Sequence, residues 1–197
     1  MCKDFKENEE FMKMLSELVD KKIEEQMANF GKNIAIFEKV SLEQFVENAV
    51  EKGVDEIDAR EAYKNIELPM ASTTGSAGFD FYTPFPIELE PGESKFIPTG
   101  IRCKMKERWA LIMMPRSGHG TKFRIQLDNT LGLIDQDYYY SDNEGHIMIK
   151  LTNDTKENKN FVLPANGKFV QGVFCYTGTA KDAIKDIKRT NGFGSTN

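Results

Sequence analysis

SKFIPTGIRCKM, residues 94–105, carries two short apolar runs separated by Pro98, Thr99 and Gly100. Neither run is long enough for a helix, and the Pro and Gly between them interrupt any helical period, so the stretch reads as successive strands. The same pattern extends outward in both directions. FDFYT (79–83) precedes it, and WALIMM (109–114), IMIKLTN (147–153), NFVLP (160–164) and KFVQGVFCY (168–176) follow, punctuated by Pro, Gly and Asn. Many short strands of this kind predict a mainly β domain, a sandwich or barrel, whose connecting loops carry the chemistry.

Before this domain the pattern is helical. Phe11, Met14, Leu15, Leu18, Ile23, Met27 and Phe30 recur at three to five residues among Lys and Glu, which predicts one amphipathic helix from Phe5 to Phe30, ended by Gly31. IAIFEKV (34–40) reads as a short strand. Ser41 is placed to cap a second helix through SLEQFVENAVEK (41–52), with Gln44 at the capping-box position. A third helix is expected over Asp55 to Lys64, ending before Pro69. The organisation expected is a helical N-terminal extension and lead-in (1–65), a β domain (66–188) and a Gly-rich C-terminal arm (189–197).

Composition narrows the classes of function. Of the 197 residues, 40% are hydrophobic and 29% charged, the profile of an ordinary globular chain. Residues 1–66 hold 10 Lys/Arg against 16 Asp/Glu, a net of −6, and residues 67–197 hold 16 against 15, a net of +1. No general positive field for nucleic acid results, although a few converging cations suffice for a polyphosphate. No long uncharged apolar run suggests a membrane span, and MCKDFKENEEF lacks the pattern of a secretion signal, so a cytoplasmic location is expected. Cys2, Cys103 and Cys175 are widely spaced and suggest neither a disulfide framework nor a zinc site.

Four segments carry residues suited to chemistry. SAGFD (76–80) sets a carboxylate after a glycine. MPRSGHG (114–120) offers a cation, a hydroxyl and unobstructed amides, and GLIDQDYY (132–139) has carboxylates beside aromatics. RTNGFGSTN (189–197) mixes Arg189, Phe193, Ser195 and Thr196 in a run too Gly-rich for a core element, a composition suited to phosphate oxygens and a flat ring. Taken singly each has a plainer reading, as a turn, a solvated hairpin, a core aromatic strand or a docked tail.

Taken in order, SAGFD, PRSGHG, NTLGLIDQDY (129–138), GKFVQG (167–172) and RTNGFGST (189–196) resemble the five motifs of the trimeric deoxyuridine triphosphatase family, over residues 66–197. The resemblance implies a jelly-roll-like β-sandwich or barrel that assembles as a homotrimer, hydrolyses dUTP to dUMP and pyrophosphate with Mg2+, and shares each active site among three subunits. By the same resemblance Asp135 activates the water that attacks the α-phosphorus, and Tyr138 packs on the deoxyribose and leaves no space for a 2′-hydroxyl. Asn129, Gly132 and Ile134 form the base-reading hairpin. Arg116, Ser117, Gly118 and Gln171 hold phosphates, and Asp80 meets the metal through water. Arg189, Phe193, Gly194, Ser195 and Thr196 arrive with the arm of a neighbouring subunit, Phe193 over the uracil.

The chain departs from the family pattern in three places. Arg189 stands four residues before Phe193, where the family has its cation five before, the place of Lys188; the planar fork of Arg189 still favours it for phosphate. YYYSDNEGH (138–146) replaces a short YxGE and inserts a loop after Tyr138. His119 and Gly120 replace an apolar or small pair, with His119 expected to be structural or solvent-facing. The first thirty residues match no family motif and are expected to stabilise by packing, with a regulatory protein partner as the other reading. Two further functions compete: a dCTP deaminase-like relative, which the intact GLIDQDY and GFGST disfavour, and a non-catalytic or moonlighting protein-binding regulator.

Overall fold

The apolar runs pair antiparallel throughout. The computed structural model describes residues 2–181, with side-chain surroundings from residue 11 onward; Lys188, Arg189, Phe193, Gly194, Ser195 and Thr196 lie outside the described residues. The chain divides into two compact units, residues 1–34 and 35–197. The first unit is built around helix α1 (Cys2–Asn29), whose apolar side chains Phe11, Leu15, Leu18 and Ile23 are exposed. No helix among the described residues is long and apolar enough to cross a membrane.

The second unit begins with β1 (Ala35–Lys39), α2 (Leu42–Glu51) and α3 (Glu56–Lys64). The strands β2 (Met70–Ala71), β3 (Gly78–Tyr82), β4 (Ile87–Leu89), β5 (Ser94–Pro98), β6 (Ile101–Met105) and β7 (Trp109–Pro115) follow. After helix α4 (Ser117–Phe123) come β8 (Ile125–Leu127), β9 (Gly132–Asp135), a 3-10 turn (Gln136–Tyr140), β10 (Met148–Asn153), β11 (Phe161–Leu163) and β12 (Lys168–Tyr176). The largest sheet runs β2-β3-β12-β7-β9; β5-β10-β8, β1-β6 and β4-β11 make the others. The fold is mainly β and antiparallel. Alternation along β10 turns Ile149, Leu151 and Asn153 inward, and Phe81, Leu111, Met113, Phe161 and Phe169 complete the centre of the core.

The boundary of the N-terminal extension differs from the sequence expectation. Residues 35–65 belong to the β unit, because β1 adds to β6 from Ala35↔Met105 to Lys39↔Ile101, and Phe45, Ala49 and Ala59 are completely buried. Ser41 caps α2 as expected, accepting from the Gln44 backbone N at 3.1 Å. The reciprocal half of the box is different. Gln44 turns its amide to Asn48 Oδ1 (3.1 Å), and the Ser41 N–H is satisfied from the inserted loop by Glu144 Oε2 at 2.8 Å.

His146, fully buried, ties that loop to the lead-in. Its Nε2 accepts from the Gly100 N–H at 2.8 Å, so Nδ1 carries the proton and donates to Asn48 Oδ1 at 2.7 Å. Burial pushes the imidazole down to about 4, against the upward pull of the Glu144 carboxylate. Between the ordinary value near 6.5 and this one the unfolded chain binds the extra proton and the folded chain does not. The contribution is therefore complete above pH ~6.5 and is lost as pH falls towards ~4, by up to about 3 kcal/mol. Urea midpoints should drop over that interval, and the drop should flatten in His146→Gln; equal slopes for the two proteins would refute this assignment.

Candidate active site

Strand β12 brings three of the sequence motifs into register. Gln171 is opposite Asp80 of β3 on one side and Met114 of β7 on the other, so SAGFD, KFVQG and MPRSG meet at one end of the sheet. Gly78 makes room there: a β-carbon would stand 2.8 Å from Gln171 Oε1. Beyond β7, Arg116, Ser117 and Gly118 open α4 and, with His119, Lys122 and Leu163, line a cavity of about 500 Å³. His119 is held from the core side: its Nδ1 lies 3.3 Å from the Phe169 carbonyl oxygen and its ring stands edge-on to Phe161.

Asp80 is the centre of this corner. It is 5% exposed, and both oxygens are engaged: Oδ1 by Arg116 Nε at 3.0 Å, Oδ2 by Ser72 Oγ at 2.6 Å and Lys168 Nζ at 2.9 Å. Lys168 also donates to Ser72 Oγ at 2.9 Å. Burial alone pushes this carboxyl up, but the hydrogen bonds from Ser72 and Lys168 and the charges of Arg116 and Lys168 outweigh it and hold the group below the usual carboxylate range. A resident divalent ion does not fit here. Direct ligation by Asp80 would have to displace a cation, and among the described residues no group of three His, Cys, Asp or Glu side chains could hold a metal.

Asp135 lies elsewhere. It pairs with Ala110 at the far end of β7, while Asp80 is level with Met114 on the other side of β12. Two strands, hence three inter-strand spacings, and four residues along the strand separate the two carboxylates, about 14 Å across the sheet and about 13 Å along it. One chain thus places the cationic cluster around Arg116 and the Asp135 carboxylate at opposite corners of the sheet.

The dUTPase family model matches residues 64–197. The chain belongs to the dUTPase family. It is 39% identical over 139 residues to the deoxyuridine 5′-triphosphate nucleotidohydrolase of Lactococcus lactis, covering 68% of this chain and 91% of that one. The dUTPase structure from Streptococcus mutans is similar with a TM-score of 0.55 and 30% identity, covering 74% of this chain and 98% of that one. A mutant dUTPase from phage phi11 of Staphylococcus aureus, described with a structural Mg(II) ion, shares the fold at 16% identity and a TM-score of 0.55, over 80% and 98% of the two chains.

The remaining dUTPase motif residues cluster near β9. Asn129 sits in the exposed turn between β8 and β9, where Thr130 takes a φ of 67°. Gly132 is buried opposite Met113, Ile134 opposite Leu111, and Tyr138 is 6% exposed. Two residues of the cationic corner carried no sequence signal of their own. Lys168 is the second residue of the fourth motif, where the resemblance points to Gln171 instead, and Ser72 lies in the unpatterned run ASTTGS (71–76).

Replacing Asp80 by Asn removes the countercharge of two cations that are each about a third exposed in their side chains. Solvent moderates the loss, so Asp80→Asn should cost about 1–3 kcal/mol. Urea unfolding measures it, and an unchanged midpoint would mean that the cluster is not holding this corner together.

Proposed function

We propose that this chain hydrolyses dUTP to dUMP and pyrophosphate as a homotrimer whose active sites each join the cationic corner of one subunit to the Asp135 corner of another. The observation that carries this reading is the separation of Arg116 from Asp135 within one chain, set against a reaction that needs phosphate binding and water activation on the same triphosphate. Asp135 orients and deprotonates the water that attacks the α-phosphorus, and pyrophosphate leaves on the far side. Arg116 and the Ser117 hydroxyl bind phosphate oxygens, with the Gly118 amide and the Gln171 side chain completing the cradle. The Asn129 hairpin, with Gly132 and Ile134, reads the uracil edge, and Tyr138 walls off the 2′ position of the sugar.

The arm residues Arg189, Phe193, Gly194, Ser195 and Thr196 are assigned to closure over a neighbouring site, with Phe193 stacking on the base and Arg189 reaching the phosphates. Magnesium would be carried by the triphosphate, with Asp80 as the residue that would face its water shell, and would supply charge stabilisation to the phosphates.

Asp135→Asn keeps the shape and removes the base, so turnover should fall about a hundredfold or more while nucleotide binding persists. Near-normal turnover, measured by pyrophosphate release, excludes Asp135 from that role. The shared site has a sharper test in mixed trimers. Asp135→Asn and Arg116→Ala chains, each inactive alone, should regain activity when refolded together in equal amounts, because about a quarter of all sites then draw an intact Arg116 from one chain and an intact Asp135 from another. No recovery would place both residues in a site within one chain.

A further inference from the structure

We propose that Asn143, in the loop inserted after Tyr138, is a positioning residue for sugar discrimination: its side-chain amide fixes the Tyr138 hydroxyl and so sets the wall that rejects a 2′-hydroxyl. The inference rests on the sugar-facing role given to Tyr138 above. The phenol donates to the His146 carbonyl oxygen at 2.9 Å and accepts from Asn143 Nδ2 at 2.9 Å, so the hydroxyl serves as donor and acceptor inside the chain. Tyr138 is therefore held at its tip, and its ring cannot swing without breaking both bonds.

Asn143 is itself held in place. Its Oδ1 accepts from the Gly145 N–H at 3.1 Å, and its carbonyl oxygen accepts from the His146 N–H at 3.0 Å. Gly145 brings the loop backbone directly against the turn that carries Tyr138. It has a φ of +71°, and a β-carbon there would lie 2.6 Å from Tyr139 Cα and 2.7 Å from the Tyr138 carbonyl oxygen. The other side of the loop is anchored to the lead-in, through Glu144 to the Ser41 hydroxyl at 2.6 Å and through His146 to Asn48 at 2.7 Å. A continuous series of hydrogen bonds thus runs from α2 to the phenol.

Such bracing matters for specificity because the two substrates differ by one oxygen at one position. A wall excludes that oxygen only while it cannot retreat, and displacements near 1 Å are enough to change rates by about a hundredfold. The lead-in and the inserted loop, both outside the family motifs, together supply the backing that keeps Tyr138 in place.

The test is the ratio of kcat/KM for dUTP to that for UTP, measured on the full chain with melting temperature alongside. Asn143→Leu removes the donor, and Asn143→Asp does so while keeping the shape and the acceptor for Gly145, so it serves if the leucine variant fails to fold. Either folded variant should lower the ratio about tenfold or more, chiefly through improved use of UTP. Tyr138→Phe keeps the ring and removes the hydroxyl through which Asn143 acts. In that background Asn143→Leu or Asn143→Asp should change the ratio by less than about twofold, a coupling that general destabilisation would not produce. An unchanged ratio in the folded Asn143 variants, or effects of Asn143 and Tyr138 that simply multiply, overturns the proposal. If Tyr138→Ala leaves the ratio unchanged, the sugar-facing role of Tyr138 fails and this inference falls with it; if Tyr138→Ala lowers the ratio and the Asn143 variants do not, only the inference fails.

Discussion

Strand β12 is hydrogen-bonded along both edges, to β3 and to β7, and the positions of Asp80, Gln171 and Arg116 all depend on that double register. Side chains alternate across a strand, so a slip of one residue would turn Phe169 and Gly172 out of their places in the core and carry Gln171 to the opposite face. The register is over-determined. Leu111 and Met113 leave no room for a side chain at 172, since a β-carbon on Gly172 would lie 2.8 Å from Leu111 Cδ1. The irregularity between Lys168 and Val170 then lets Phe169 and Val170 both be buried, and swings Lys168 to the Asp80 side. A local deviation in the ladder is what delivers the second cation to the buried carboxylate.

A second set of constraints holds the lead-in against the β unit through polar groups rather than apolar contact alone. Asn48, His146, Gly100, Ser41 and Glu144 satisfy one another, and Glu38 joins Arg102 at 3.0 Å to Tyr139 at 2.7 Å. Buried polar groups cost free energy unless paired, so a network of this kind tolerates only one arrangement of α2, the inserted loop and β6. The apolar core beneath is permissive by comparison, because aliphatic and aromatic contacts have no donor to satisfy. Cys103 belongs to that core: burial pushes its thiol up to about 12, which leaves it unreactive.

How far the sequence was legible follows from the range of each interaction. Ser41, Asp55 and the apolar alternation of β10 act within a few residues, and their elements form where the pattern predicts them. The partner of the Ser41 N–H lies 103 residues away at Glu144, so no local pattern reveals it, and Gln44, correct by spacing, is turned to Asn48 instead. The same distance in sequence explains why residues 35–65 read as an extension: their helical period is visible, but the pairing of Ile36 with Lys104 and the burial of Phe45 are not. Tyr138 to Tyr140 admitted reading as a strand. They form a 3-10 turn with Tyr138 buried and Tyr140 exposed, because Gly145 packs on their backbone from a loop that family spacing does not contain.

The near-neutral β domain also gathers positive charge locally, as the proposed function requires for a triphosphate. Two cations, one just past β7 and one on β12, repel and, left to themselves, would turn outward to water. Asp80 sits between Arg116 and Lys168, so each is drawn to the carboxylate and both are kept within one small volume. The trio retains a net positive charge, and its members are already ordered before an anion arrives, which reduces the reorganisation that binding would otherwise require. On the shared-site reading the base belongs away from this field, since a positive cluster beside a carboxylate makes it a weaker base. Within one chain the sheet keeps the two apart at opposite corners. On the shared-site reading they meet only across a subunit boundary, with the triphosphate between them, so the negative charge of the substrate itself shields Asp135 from Arg116 and Lys168 at the moment a base is needed.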